Sequence, residues 1–211
     1  MLRVNEIFHS IQGESTHAGL PCVFVRLTGC NLRCAWCDTA YAFHEGRWMT
    51  PEAILAEVEA TGCRLVEVTG GEPLLQEGTI DLMRRLLERG FTVLLETGGS
   101  LPIDAVPERV RIILDVKCPG SGESDRNRWE NLARLRPGDE VKFVVAGPED
   151  FAWAREVLRE RRIDPERVLM SPVWDRVEPA ALARWILDSG LPVRLQVQLH
   201  KVLWPAALRG V

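Results

Sequence analysis

"CVFVRLTGCNLRCAWCDT", residues 22–39, joins two stretches of opposite character. Its first part, "CVFVRLT", is an apolar run that reads as a strand, whereas residues 29–39 are too polar and cysteine-rich to be regular structure. Six more apolar runs of strand type lie downstream, at 65–69, 91–96, 111–116, 140–145, 167–171 and 193–198. Amphipathic stretches separate most of them. Thr50 and Pro51 give an N-cap and an N1 proline before "EAILAEVEAT", and Gly62 comes after it as a stop. "GTIDLMRRLLERG" ends at Gly90, "PEDFAWAREVLRERR" begins after Gly147, and "EPAALARWILDSG" ends at Gly190. Strand and helix in repeated succession predict an α/β fold of parallel strands joined by crossovers. At 211 residues the chain is short for an eight-unit barrel of roughly 250, so an incomplete (β/α)6-type barrel is expected. No linker or internal repeat divides the chain, and 1–211 reads as a single domain. Residues 1–20 precede the first unit as a short extension, expected to form a small hairpin or flap.

Composition narrows the partners. The net charge is −4, with 46% hydrophobic and 27% charged residues, so a core can form and no global positive field attracts nucleic acid. No stretch approaches the roughly 18–20 apolar residues that span a membrane, and "MLRVNEIFHS" lacks the pattern of a signal peptide. A cytoplasmic protein acting on a small molecule is expected. In that compartment six cysteines are not a disulfide framework. Cys22, Cys63 and Cys118 are scattered and read as incidental thiols.

Cys30, Cys34 and Cys37 are different, with C-x3-C-x2-C spacing directly after a strand, where parallel α/β folds keep their sites. A structural zinc site would ask for a fourth ligand, from His17 or His44, and neither gives the familiar paired spacing. An iron–sulfur cubane held by three thiolates would instead leave one iron open, which suits catalysis. The strand end at 68–76, "VTGGEPLLQ", offers paired glycines that let backbone approach a ligand and a carboxylate that can accept from an ammonium. "DVKCPGSG" at 115–122 and "SPVW" at 171–174 also sit at strand ends. Lys117 there can bind a carboxylate or phosphate, and the glycine/serine loop can expose backbone donors.

The cysteine spacing, with Trp36 just before Cys37, resembles the signature of the radical S-adenosylmethionine superfamily. The resemblance implies a [4Fe–4S] cluster on Cys30, Cys34 and Cys37. S-adenosylmethionine would chelate the open iron and be cleaved to a 5′-deoxyadenosyl radical, in a barrel with trimmed outer helices. "GGE" looks like the motif that holds the S-adenosylmethionine amino group, here Gly70, Gly71 and Glu72.

The N-terminal segment narrows the resemblance. Gln12 and Glu14 in "SIQGES" and Arg26 in the first strand form a recognition set for a heterocycle with amide-like edges and a carboxylate. "SIQGES", "FVRLTGCNLRCAWCDT", "TGGEPLLQ", "ETGGS", "DVKCPGSG", "SPVW" and "QLHK" together resemble the 7-carboxy-7-deazaguanine synthase family over nearly the whole chain. That family contracts 6-carboxy-5,6,7,8-tetrahydropterin to 7-carboxy-7-deazaguanine with loss of ammonia, in the queuosine and deazapurine pathway. The resemblance implies radical initiation at the pterin C6, with Mg2+ bound by Thr39. Trp36, Cys37, Asp38, Gly71, Asp115, Val116, Lys117, Ser171, Pro172, Val173 and Trp174 would line S-adenosylmethionine. Pterin contacts would fall on Ile11, Gln12, Gly13, Glu14, Arg26, Thr69, His200 and the terminal carboxylate of Val211. It further implies a homodimer, reduced by a flavodoxin or ferredoxin. Two other readings compete: a glycyl-radical-activating enzyme, which shares the cysteines and GGE, and a non-catalytic iron–sulfur or zinc-binding module.

Overall fold

In the computed structural model, which describes residues 1–205 and 208–210, the apolar runs become neighbours in one open sheet. Its strands are β1 (Leu2–Ile11), β2 (Pro21–Leu27), β3 (Arg47–Met49), β4 (Leu65–Gly70), β5 (Thr92–Thr97), β6 (Arg111–Val116), β7 (Glu140–Val145), β8 (Val168–Pro172) and β9 (Arg194–Leu195). They lie in the order β3-β1-β2-β4-β5-β6-β7-β8-β9. β1 pairs antiparallel with β2 and β3, and each pairing from β2 onward to β9 is parallel. The incomplete barrel is therefore present, as an open sheet rather than a closed ring.

The helices are α1 (Pro51–Ala60), α2 (Gly78–Glu88), α3 (Pro148–Glu160), α4 (Pro179–Ser189) and α5 (Leu199–Leu203). Thr50 caps α1 by accepting from the Ala53 N–H at 3.2 Å, and Pro51 occupies the first turn, as its sequence predicts. The outer layer is trimmed where β5 joins β6 and where β6 joins β7. The first connection holds no helix, and the second holds only 3-10 turns at 119–121, 124–126 and 129–134.

Two expectations need correction. Residues 1–20 are not a flap, because residues 2–11 form a full strand on the sheet, bent by a bulge between Val4 and Glu6. The run at 193–198 yields only the two-residue β9. There the buried Gln196 keeps its backbone N–H on the Met170 carbonyl of β8 at 2.9 Å, while its side-chain amide donates to the Ser15 carbonyl at 2.9 Å and ties the chain to the N-terminal loop.

The pleat divides the strands into two faces, since alternate residues point opposite ways. One face, with Val25, Val66, Val68, Val93, Leu95, Ile112, Leu114, Val141 and Phe143, packs on Ile54, Leu82, Leu86, Phe151 and Leu182 of the helices. Burying each such side chain contributes roughly 1.5–3 kcal/mol, so this layer dominates stability. The other face has a small apolar cluster of Cys22, Phe24, Leu65, Leu94 and Ile113 near the strand starts. Two residues further along, the same face carries Arg26, Glu67, Glu96 and Asp115. The polar ring above an apolar floor is what a binding chamber requires.

Candidate active site

A cavity of about 590 Å3 opens at the C-terminal ends of the parallel strands and takes in both the cysteine loop and the N-terminal loop. The cysteine loop leaves β2 at Gly29, whose φ of 100° turns the chain sharply. Its backbone is pinned by Gly29 N–H to the Ala42 carbonyl and by Glu72 N–H to the Gly29 carbonyl, each 2.8 Å. A β-carbon on Gly71 would lie 2.3 Å from the Gly29 oxygen and 2.7 Å from Cys30 Cβ. The paired glycines thus serve to bring the β4 end against the cysteine loop.

Cys30, Cys34 and Cys37 are unpaired, partly buried and all line the cavity. Burial pushes each thiol's pKa up, so a bound cationic centre is what would hold them as thiolates. Among the described residues no three His, Cys, Asp or Glu side chains converge on one ion position. Three soft thiolate donors on one cavity wall suit an iron–sulfur cluster.

Next to them lie Trp36, Asp38, Gly70, Gly71, Asp115, Lys117, Val173 and Trp174, all on the cavity wall. Lys117 bonds Asp115 Oδ2 at 2.7 Å, while the buried Asp115 Oδ1 has no partner among the described residues. Burial opposes the Lys117 charge, but Asp115 outweighs it and raises the lysine pKa. A buried orphan acceptor beside the cysteines fits a ligand bearing hydroxyl or amino donors, as S-adenosylmethionine does. Glu72 is otherwise engaged. It is 1% exposed and accepts from Gly98 N–H at 2.8 Å, Leu74 N–H at 3.0 Å and Thr97 Oγ1 at 2.9 Å, clamping the β5 end to the GGE loop. Val116, Ser171 and Pro172 are buried off the cavity wall and do not line it.

The other half holds Ile11, Gln12, Glu14, Arg26, Thr69 and His200. Arg26 Nε pairs with Glu6 at 2.8 Å, and Tyr41 also donates to Glu6 at 2.8 Å. Burial pushes the Tyr41 phenol up to about 12, keeping it a donor. Thr39 Oγ1 donates to Asp38 Oδ1 at 2.9 Å, and Lys201 bonds Asp38 Oδ2 at 2.5 Å. Gly13 stands behind His200 off the cavity wall, and Val211 lies outside the described residues.

Several cavity residues escaped the sequence reading: Phe8, Phe24, Tyr41, Glu67, Glu96, Lys142, Gln198 and Lys201. Glu67 accepts from Gln12 Nε2, and burial raises its carboxyl far above the usual range, with Glu96 adding to the effect. Lys142 bonds both Glu14 and Glu96. A signal was available in the single charges inside apolar runs, "LVEVT", "VLLET" and "VKFVV".

The sequence pattern of the Radical SAM superfamily matches residues 24–170. A 7-carboxy-7-deazaguanine synthase from Koribacter versatilis is 46% identical, with 100% of both chains covered. One from Chlorobaculum tepidum is 48% identical over 100% of this chain and 97% of its own. Among solved structures, QueE from Escherichia coli superposes with a TM-score of 0.75 at 26% identity, covering 94% of each chain. Streptococcus suis SuiB bound to its precursor peptide SuiA shares the fold, with a TM-score of 0.60 at 16% identity, over 82% of this chain and 47% of that one. Full-length relatives of a single enzyme leave no room for the activating-enzyme and non-catalytic readings. The chain belongs to the radical S-adenosylmethionine superfamily and, within it, to the 7-carboxy-7-deazaguanine synthases.

Proposed function

We propose that this enzyme converts 6-carboxy-5,6,7,8-tetrahydropterin to 7-carboxy-7-deazaguanine with loss of ammonia, as a step toward queuosine or another deazapurine. The observation that carries the reading is one shared chamber: the three cysteines and the Gln12, Glu14, Arg26 and His200 set line the same cavity. When bound, a [4Fe–4S] cluster with S-adenosylmethionine supplies one-electron initiation, by removal of the substrate's C6 hydrogen. The chain's own residues hold and orient. Cys30, Cys34 and Cys37 would ligate the cluster, and Asp115 Oδ1 would accept from a hydroxyl or amine of S-adenosylmethionine. Gly70 and Gly71 admit that ligand's close approach to the backbone, and Thr39 would offer its hydroxyl to Mg2+. Gln12, Glu14 and Thr69 provide hydrogen-bond partners for the pterin's polar edge, and Arg26 complements its carboxylate. The aromatic pair Phe8 and Phe24, stacked at 4.9 Å, gives the chamber an apolar wall that excludes water from the reacting centre.

Residues 1–211 act as a single radical domain in this proposal, with 1–20 contributing substrate contacts. Six unpaired cysteines support a cytoplasmic setting, and no helix among the described residues is long and apolar enough to cross a membrane. A homodimer is part of the same reading, by likeness to the family. A flavodoxin or ferredoxin would deliver the electron.

The test is anaerobic reconstitution with iron and sulfide, reduction, and addition of S-adenosylmethionine, Mg2+ and the tetrahydropterin. Formation of 7-carboxy-7-deazaguanine by mass is expected. Deoxyadenosine without that product would assign a different substrate.

A further inference from the structure

Lys142 lies inside the polar ring, on β7, and is 4% exposed. A buried ammonium is expensive unless it is paired. Its two partners come from segments far apart in sequence, Glu14 of the N-terminal loop and Glu96 of β5. The remaining oxygens of those carboxylates are also oriented: Gln198 Nε2 donates to Glu14 Oε1 at 2.7 Å, and Thr69 Oγ1 reaches Glu96 Oε2 at 3.4 Å.

The other charges around the chamber are already matched. Arg26 of β2 has Glu6 at 2.8 Å, Asp115 of β6 has Lys117 at 2.7 Å, and Asp38 has Lys201 at 2.5 Å. Burial raises the pKa of Glu67 of β4, which bonds Gln12, and lowers that of His200 on α5, favouring the neutral form of each. Among the described residues this leaves Lys142 as the cation that serves both Glu14 and Glu96. Without it, two carboxylates would face each other with no cation between them, which raises the pKa of at least one.

We propose that Lys142 is a positioning residue for the substrate, holding Glu14 and Glu96 together as a charged acceptor pair so that the chamber selects a ligand with adjacent N–H donors. The 2-aminopyrimidinone edge of a pterin is such a ligand, because its ring N–H and amino group point the same way and can meet carboxylate oxygens side by side. The assignment rests on the pterin reading of the proposed function. It also explains why the N-terminal loop lies over the strand ends: Glu14 is drawn there by the lysine.

The test is equilibrium dialysis of 6-carboxypterin, the aromatic form of the substrate, against anaerobic, cluster-loaded enzyme with saturating S-adenosylmethionine, between about pH 5.5 and 7.5. K142M removes the cation, so its carboxylates take up a proton at low pH. Its Kd relative to wild type should be about tenfold or more higher at the acid end, and the ratio should narrow as pH rises. Taking the ratio cancels the titration of the ligand, and H200Q placed in both proteins removes that of His200, whose pKa Lys142 helps to lower. K142R keeps the charge and should track the wild-type profile. A K142M ratio that stays constant with pH, or a Kd equal to wild type throughout, overturns the proposal while leaving the substrate assignment intact. Wild-type enzyme that retains no 6-carboxypterin at any pH overturns both. Should K142M fail to fold, K142M/E96Q relieves the uncompensated charge. Its Kd compared with that of E96Q alone then isolates the lysine: a several-fold higher Kd is expected in the double variant, and equal values would overturn the role of Lys142.

Discussion

A β-carbon on Gly13 would stand 2.2 Å from Nδ1 of His200, so the N-terminal loop and α5 meet at a point that admits only glycine. The contact is reinforced by Leu199 N–H donating to the Gly13 carbonyl at 3.0 Å. G13A must push His200 and the 196–200 segment aside. Overpacking of this kind destabilises by about 1–3 kcal/mol, readable as a lower Tm. The KM for the pterin should rise several-fold while that for S-adenosylmethionine changes little, because His200 borders the substrate half of the cavity. Equal rises in both constants would contradict that division.

The cysteines separate by role. Cys34→Ala should abolish cluster assembly, measured as iron and sulfide per chain after reconstitution. Cys63→Ala should retain iron near the wild-type content, since Cys63 lies outside the cavity and its thiol bonds the Pro21 and Leu65 carbonyls. Equal losses in the two variants would remove the ligand assignment.

Gln76 stitches three segments that frame the cysteine loop. Its Oε1 accepts from Arg3 N–H at 2.7 Å, and its Nε2 donates to the Arg3 carbonyl at 2.9 Å and the Thr28 carbonyl at 3.0 Å. Q76A leaves those groups without partners, at a cost of about 1–3 kcal/mol, which for a chain of this size lowers the Tm by several degrees. A melting curve of the reconstituted protein checks it, and an unchanged Tm would mean that water replaces the amide at no cost.

Glu67 predicts a pH dependence of stability. Burial raises its folded-state pKa above the unfolded value, so the stability contributed by its proton is complete below the ordinary carboxylate range. That contribution is lost as pH rises toward the folded value. E67Q is neutral at every pH and can still accept from Gln12. The variant and the wild type should therefore melt together near pH 4, and E67Q should become the more stable of the two as pH increases. The gain approaches about 1.4 kcal/mol for each unit by which the pKa is raised. Melts near pH 5 and pH 8 with a constant difference would show that Glu67 is ionised throughout.

The strands, the helix caps and the cysteine loop were legible because each is encoded in neighbouring residues. "CVFVRLT" needs no distant partner to be recognised as a strand, and Thr50-Pro51 announces α1 by local chemistry alone. The polar ring was not legible in the same way. Glu67, Glu96 and Lys142 are each an isolated charge in an apolar run, and what each one meets depends on strand order and on Glu14 arriving from the other end of the chain. Residues 1–20 were misjudged for a related reason. The bulge between Val4 and Glu6 breaks the alternation that would have marked residues 2–11 as a strand. The shortness of β9 was hidden as well, since the side chain of Gln196, just past it, serves a carbonyl on a loop that local sequence does not mention.

The apolar floor of Cys22, Phe24, Leu65, Leu94 and Ile113 also sorts a ligand's two ends. A floor without polar side chains gives hydrogen-bonding edges nothing to meet, so those edges must face the ring of charges above it, and polarity sets a ligand's orientation before any single contact forms.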